Sequence, residues 1–124
     1  MIENAITYDV RGAAFIVHKK LGPGLLEVVY EHALAHELRK MGHDVKNQVG
    51  IPVFYDDIRF NIGFRMDLLI DNKVIIEIKS VDHLIDIHHK QLLTYLKLTE
   101  KKVGLIINFN SNSLDKTAMV RIIN

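Results

Sequence analysis

The 124-residue sequence contains no cysteine, only two prolines and seven glycines, and almost no excess of charge. Without cysteine the chain has no disulfide, no thiol nucleophile, no cysteine-bound zinc and no iron–sulfur cluster, so any metal must bind oxygen or imidazole. Few prolines and glycines, together with 48% hydrophobic residues, exclude collagenous, low-complexity and disordered chains. The composition therefore predicts an ordinary globular protein.

Long hydrophobic runs are lacking as well. The first residues contain no basic segment followed by an apolar run, and no stretch approaches the roughly 18 apolar residues of a membrane span. We therefore expect a soluble, cytoplasmic protein with no membrane partner, forming one domain over residues 1–124, since the length suffices for one hydrophobic core. A net charge of +1 creates no overall attraction for nucleic acid, so such binding needs a local patch.

The N-terminal third of the sequence predicts two helices. Apolar residues recur every three or four positions over residues 4–20, and Gly22-Pro23-Gly24 ends this helix. A second helical pattern covers residues 25–41, and Gly42 follows where a left-handed C-cap is needed. The expected apolar positions are Ile6, Val10, Ala13, Ala14, Val17 and Leu21 in the first helix, and Leu26, Val29, Tyr30, Ala33, Leu34 and Leu38 in the second.

After Gly42 the hydrophobic period changes to two, which predicts strands joined by turns at residues 56–57 and 71–73. In each strand one face is expected to meet the core and the other to carry the charges. The expected core residues are Val45, Val49, Ile51, Val53 and Tyr55, then Phe60, Ile62, Phe64, Met66, Leu68 and Ile70, then Val74, Ile76 and Ile78.

The last part of the chain predicts a helix over residues 81–99, a strand over 103–109 and a short strand over 118–122. The run at 103–109 is almost continuously apolar, as in a strand that is buried on both faces and parallel to its neighbour. The resulting order, α-α-β-β-β-α-β-β, predicts an α/β or α+β fold with a mixed β-sheet flanked by helices.

Asp67, Glu77 and Lys79 form the constellation with the clearest chemistry. A three-residue turn at 71–73 pairs Asp67 with Glu77 on one face of a hairpin, with β-carbons about 5 Å apart, and Lys79 two residues further on the same face. Two carboxylates so close repel unless a proton or cation lies between them, and such ligands suit Mg²⁺ or Mn²⁺. The alternative is a solvated hairpin face with cross-strand ion pairs, and spacing alone does not decide between the two.

These residues resemble the PD-(D/E)XK nuclease superfamily, which has a restriction-endonuclease-like α-β-β-β-α-β core and an acidic residue followed by an (E/D)-x-K strand. Asp67 and Glu77-Ile78-Lys79 match that signature, although Met66 stands where the name motif has proline. The segment from Gly24 to Tyr30 reads G-x-x-E-x-x-Y and resembles the bacterial GxxExxY proteins of that superfamily. The likeness extends over nearly the whole chain and implies a Mg²⁺-dependent nuclease, in which Mn²⁺ can substitute and DNA is the expected substrate.

The resemblance also implies roles for single residues. Asp67 and Glu77 become metal ligands together with the backbone carbonyl of Ile78, and Lys79 positions or deprotonates the attacking water. Glu27 matches a helical acid that completes or orients the metal shell; otherwise it is a solvated helix position. Tyr30 either hydrogen-bonds this acid, the role we favour, or packs in the core.

Other candidate residues lie further along the chain. Gln91 and Tyr95 resemble a Q-x-x-x-Y element beside the active site, with a core tyrosine as the alternative. Candidate nucleic-acid contacts are Arg65, Lys90 and Lys97, for which solvated surface charge is the simpler interpretation.

The histidines offer a weaker metal hypothesis. His32 and His36 have the i, i+4 spacing of a zinc pair, but no third ligand is suitably spaced, so a solvated face is favoured. His88 and His89 are adjacent and cannot share a helix face, and neither is expected to be a ligand.

Two rival functions use the same fold. One is a catalytically inactive binding or regulatory protein, against which the retained acids and lysine argue, and the other is a hydrolase of small phosphate esters. A chain this short offers little surface beyond the site, so we expect a homodimer, which sedimentation at high concentration tests.

Overall fold

A five-stranded mixed sheet with helices on both faces forms the protein in the computed structural model, which describes residues 1–124 except the side chains of residues 61 and 62. The predicted order of elements and the fold class are confirmed. Among the described helices, none is long and apolar enough to cross a membrane. The elements are α1 (Ile2–Leu21), α2 (Glu27–Lys40), β1 (Val45–Tyr55), β2 (Ile58–Ile70), β3 (Val74–Lys79), α3 (Asp86–Thr99), β4 (Val103–Asn108) and β5 (Met119–Ile123).

The strands lie in the sheet in chain order, β1-β2-β3-β4-β5. Every neighbouring pair is antiparallel except β3 and β4, which run parallel because α3 carries the chain back between them. All six residues of β4 are buried, so the prediction of a parallel strand covered on both faces is confirmed.

The two N-terminal helices follow the sequence prediction closely. Gly42 takes a left-handed φ of 92° after α2, and its N–H donates to the carbonyl of Arg39 at 3.0 Å. The predicted apolar positions are buried or partly buried, with three exceptions. Leu21, Leu26 and Val29 are exposed, because they lie around the loop between the helices rather than over the sheet.

Both faces of the sheet carry a hydrophobic core, which corrects the prediction of a single core face for β2 and β3. Helices α1 and α2 cover the face that contains Leu68, Ile76 and Ile78. Helix α3 covers the other face, where Leu69 and Ile75 are buried. These two residues stand at positions that the alternation assigned to the charged face, and being apolar they fit a sheet covered on both sides.

The outer part of the β1–β2 hairpin lies beyond the rest of the sheet. β3 pairs with only the last three residues of β2, so the remaining ribbon lacks a neighbour strand on that side. Tyr55, Phe60 and Phe64 were predicted to be core residues, but all three are exposed. Met66 belongs to the core under α3. The faces predicted for Asn61 and Ile62 lie outside the described side chains.

Helix α3 begins at Asp86, five residues later than predicted. The preceding segment is held by polar contacts, since the N–H of Val81 donates to Asn108 Oδ1 at 3.1 Å and Asn108 Nδ2 donates to the carbonyl of Val81 at 3.0 Å. At the helix start the N–H of Ile85 donates to His88 Nδ1 at 3.2 Å. A local side-chain cap thus competes with earlier helix formation.

His43 ties three elements together at the end of the hairpin where β2 turns into β3. Its Nδ1 lies 2.6 Å from Asp71 Oδ2 and its Nε2 lies 2.7 Å from Asp9 Oδ2. Burial alone would lower the pKa of His43, but the hydrogen bonds to Asp71 and Asp9 outweigh it and raise the pKa. This cluster anchors α1 to the turn at the far end of β3 from Lys79.

Candidate active site

Asp67 and Glu77 lie at the point where β2 and β3 separate. The predicted hairpin register is confirmed, since the turn closes with the N–H of Lys73 donating to Ile70 O at 2.9 Å. The ladder consists of Leu68↔Ile76, Leu69↔Ile75 and Ile70↔Val74. It stops one residue before the two acids, so their backbones do not pair although their side chains converge.

Side-chain contacts replace the missing ladder at this point. The N–H of Ile78 donates to Asp67 Oδ2 at 2.7 Å, and the N–H of Asp67 donates to Glu77 Oε2 at 3.2 Å. Each carboxylate thus receives a hydrogen bond from the backbone of the opposite strand. The two carboxylates therefore stabilise the separation of β2 and β3 at this point, because each accepts a backbone hydrogen bond from the opposite strand.

Glu77 is buried, with 6% of its surface exposed. Burial, followed by the charge of Asp67 and a hydrogen bond between the two carboxyl groups, raises the pKa of Glu77 to about 9, against the smaller opposing effects of the Asp67 N–H and Lys79. At neutral pH the pair therefore shares a proton. A cation could take the place of this proton, because it would neutralise the same two oxygen-bearing groups.

A cavity of about 390 Å³ opens beside Asp67 on the side of α2. It is lined by Glu27, Val28, Glu31, His32, Asn47, Gln48, Asp67 and Ile78. Glu27 is the first residue of α2, and burial raises its pKa, while the charge of Lys79 lowers it and that of Asp67 raises it. Lys79, at the end of β3, is half-buried, and its charge lowers the pKa of both Glu27 and Glu77.

The loop between α1 and α2 explains the G-x-x-E-x-x-Y spacing. Gly24 has a φ of 96°, a conformation that favours glycine, and turns the chain toward Glu27. The Tyr30 hydroxyl donates to the carbonyl of Gly22 at 2.5 Å and accepts from the N–H of Leu25 at 3.1 Å. Tyr30 therefore holds the loop and not the Glu27 carboxylate.

Two further contacts fix this loop. The Tyr30 ring is buried and stacks on Phe109 with centroids 4.6 Å apart. Ser80 Oγ donates to the carbonyl of Leu25 at 2.7 Å, which joins the loop to the end of β3. The alternative interpretation of Tyr30, a tyrosine packed in the core, is therefore confirmed, whereas the favoured hydrogen bond to Glu27 is wrong because the hydroxyl bonds the backbone of the loop before α2.

Helix α3 borders the site on the other face of the sheet. Gln91 Nε2 donates to the Tyr95 hydroxyl at 2.9 Å. Burial raises the pKa of Tyr95, and the charges of Glu77 and Asp67 add to this effect. Burial, together with the charges of Lys79 and His89, lowers the pKa of His88. The carboxylates thus act on Tyr95, to which Gln91 is hydrogen-bonded, whereas His88 responds to the charge of Lys79.

The predicted cationic residues are dispersed. Arg65 lines a cavity of about 280 Å³ on the outer hairpin together with Arg59, and Lys90 lines a groove beside α3. Lys97 is exposed on α3 and lines none of the cavities described for the chain.

The i, i+4 histidines do not share a site. His32 lines the cavity at Asp67, whereas His36 lies in a separate groove between α1 and α2. Within the described part of the chain, no three side chains of His, Asp or Glu form a cluster suited to a metal ion. A metal at this site would thus need backbone, water or substrate oxygens besides carboxylates.

Sequence reasoning missed Glu31 and Gln48. Gln48 has a left-handed φ of 52° within β1, and its amide donates to Glu31 Oε1 and, at 3.4 Å, to Asp67 Oδ1. Glu31 is buried and also accepts from Asn47 Nδ2 at 3.1 Å. Two signals were available, because Glu31 stands one turn after Glu27 and the alternation in β1 skips Asn47. Strained backbone beside a polar cavity is typical of functional sites.

We expect Gln48→Ala to weaken Mn²⁺ binding about tenfold, because Asp67 loses the side chain that orients its free oxygen. Asn47→Ala is the matched control, since it removes a contact to Glu31 and leaves the contact between Gln48 and Asp67 intact. Isothermal titration of both variants measures the difference. Equal affinities in the two variants would argue against an orienting role for Gln48.

A mixed sheet of this order, with an acid on one strand meeting an acid-x-lysine on the next, defines a restriction-endonuclease-like protein. The sequence pattern of the PD-(D/E)XK nuclease superfamily matches residues 4–122, and the chain belongs to that superfamily. No curated protein and no solved structure is significantly similar to the chain.

Proposed function

We propose that this protein is a Mg²⁺-dependent nuclease that hydrolyses phosphodiester bonds of DNA. Membership of the superfamily supports nuclease chemistry in general. The observation that carries the proposal is the pair of cross-strand contacts where β2 and β3 separate: the Asp67 N–H donates to Glu77 Oε2, and the Ile78 N–H donates to Asp67 Oδ2. We also propose, from the G-x-x-E-x-x-Y segment, that the chain is one of the GxxExxY proteins.

The donor set fits a hard divalent cation. Asp67 and Glu77 supply carboxylate oxygens and Ile78, which lines the same cavity as Asp67, supplies a backbone carbonyl. Mg²⁺ needs few protein ligands because it keeps several waters and accepts substrate oxygens, and Mn²⁺ uses the same donors. Such a cation, when bound, polarises the scissile phosphate and lowers the pKa of the attacking water.

The remaining residues act on the substrate and on the ligands. Lys79 supplies positive charge where negative charge develops on the phosphate, and it orients the attacking water. Glu27 faces the same cavity and orients the ligand shell, while Tyr30 keeps its loop in position. Gln91 and Tyr95 support the site from α3.

Nucleic acid would contact the exposed surfaces on either side of the point where β2 and β3 separate. Arg65 on the hairpin and Lys90 on α3 both line concave surfaces, and Lys97 extends the positive charge along α3. Because the net charge is only +1, binding would rely on these few cations, and its dependence on salt should be shallow because few phosphates are neutralised.

Titration of Mn²⁺ followed by electron paramagnetic resonance tests the proposal without a choice of substrate. We expect saturable binding in the wild type and none in Asp67→Ala or Glu77→Ala, with circular dichroism confirming that both variants fold. A screen of DNA and RNA forms for Mn²⁺-dependent cleavage then identifies the substrate. No specific binding at millimolar metal, even with added oligonucleotide, would instead favour a binding protein that has lost catalysis.

A further inference from the structure

A groove of about 260 Å³ lies between the outer part of β2 and helix α3. Its surface is largely apolar, and the exposed Lys90 is its one charged lining residue; the lining residues are Phe64, Ile87, Lys90, Gln91, Thr94 and Tyr95. Phe64 is 47% exposed, although its ring also contacts that of Tyr95 with centroids 5.6 Å apart. A large aromatic ring is thus held in place by a neighbour and still presents much of its surface.

The groove lies beside the candidate active site. Phe64 stands three residues before Asp67 on β2, and Tyr95 packs in the same core cluster as Met66, the residue that precedes Asp67. Gln91 lines the groove and holds the Tyr95 hydroxyl at 2.9 Å. A ligand in the groove would therefore lie beside that site.

We infer that this groove binds one unpaired nucleobase next to the phosphodiester that is cleaved, so that the substrate contains a single-stranded segment. The inference rests on the proposed nuclease function. Phe64 offers an exposed ring for stacking, the Gln91 amide can bond a base edge, and Lys90 can neutralise the adjoining phosphate. Bases within a duplex remain stacked on each other and cannot enter without unpairing.

An exposed aromatic ring with an exposed lysine in the same groove favours a nucleotide over an apolar protein segment. A hydrophobic side chain from a partner would gain nothing from Lys90 and would bury the Gln91 amide at a cost. A nucleotide instead presents an aromatic face, hydrogen-bonding edges and a negative charge, which match the three kinds of group in the groove.

Fluorescence of Phe64→Trp tests this arrangement directly, because the chain contains no tryptophan. Titration with a short oligothymidylate in EDTA should quench the emission, since a stacked base lies against the indole. Phe54→Trp is the matched control, being 62% exposed on the same hairpin but outside the groove, and it should show no quenching. An emission change that follows protein concentration and not oligonucleotide would identify a self-association surface and overturn the inference.

Affinities of Phe64→Ala provide a second test. We expect this variant to bind single-stranded DNA about 5- to 100-fold more weakly than the wild type, with duplex binding unchanged and Phe64→Tyr close to the wild type. Thermal melting shows whether the variants fold. Equal single-strand affinities in Phe64→Ala, Phe54→Ala and the wild type would overturn the inference. Cleavage of the same oligonucleotides with Mn²⁺ reports separately on the proposed function.

Discussion

Glu77→Gln is expected to lower Mn²⁺-dependent cleavage at least about 1000-fold and at the same time to make the metal-free protein more stable. The loss of activity follows because an amide is a poor ligand for a divalent cation, and Glu77 is one of the two carboxylates that we propose as ligands. The gain in stability follows because the introduced amide can donate to Asp67 and carries no charge. Initial rates and urea unfolding in EDTA measure the two effects.

The pH dependence of stability explains why Glu77→Gln should stabilise the protein. The pKa of Glu77 is about 9 in the folded protein and near 4.5 when unfolded, so below pH 4.5 the group is protonated in both states. Above that pH the unfolded chain releases a proton that the native protein keeps, and the free energy of unfolding falls as pH rises toward 9. At pH 7 this loss is about 3 kcal/mol, which the glutamine variant avoids.

Glu37→Gln is the matched control for a buried acid. Glu37 is buried on α2, where Lys40 and Lys20 pair with it at 3.0 and 3.6 Å, so its removal should lower stability and leave cleavage unchanged. The prediction would be contradicted if Glu77→Gln had a lower free energy of unfolding than the wild type, by the same amount at pH 5 and at pH 8. That result would indicate an ordinary structural ion pair.

Much of the fold was predictable because local signals agreed with tertiary packing. Gly22-Pro23-Gly24 and Gly42 mark the helix ends correctly, and the turn at 71–73 sets a register that needs no tertiary information. That register places Asp67 opposite Glu77, although the ladder stops one residue before them and side-chain hydrogen bonds complete the contact. Hydrophobic periodicity was therefore sufficient wherever an element packs along its whole length.

Hydrophobic periodicity gave wrong predictions where a strand extends beyond the strand next to it. Phe64 has the alternation of a core residue, yet β3 pairs with β2 only at residues 68–70, and the Phe64 ring is left half exposed. The start of α3 was also misplaced, because the amide of Asn108, 27 positions away in sequence, holds Val81 outside the helix. A local sequence pattern does not reveal contacts between residues so far apart in the chain.

The site was predictable only in its acidic centre. Gln48 contacts Asp67 from a residue of β1 that has a left-handed backbone conformation. The conformational preferences of glutamine do not predict this conformation within a strand. Tyr30 was identified from the motif, but its partner, the Gly22 carbonyl, depends on how the loop folds back over α2. Residue types therefore revealed the chemistry, while the supporting contacts required the three-dimensional arrangement.

The affinity for Mn²⁺ is expected to rise about 100-fold between pH 6 and pH 8. Over this range Glu77 holds a proton in the metal-free protein because its pKa is about 9. A cation that binds both carboxylates must displace that proton, and release of one proton changes the affinity tenfold per pH unit. Titration calorimetry at several pH values measures the slope, and paired buffers with different ionisation enthalpies count the protons released.

Glu27→Gln tests whether the proton released on Mn²⁺ binding comes from Glu77 or from Glu27. The pKa of Glu27 is also raised, mainly by burial, but this acid lies on α2 and is far more exposed than Glu77. If the displaced proton comes from the pair of Asp67 and Glu77, the variant should keep the tenfold slope and lose only some affinity. An affinity independent of pH in the wild type, with no proton released, would mean that Mn²⁺ binds without engaging Glu77 and that the buried carboxyl group is not a ligand.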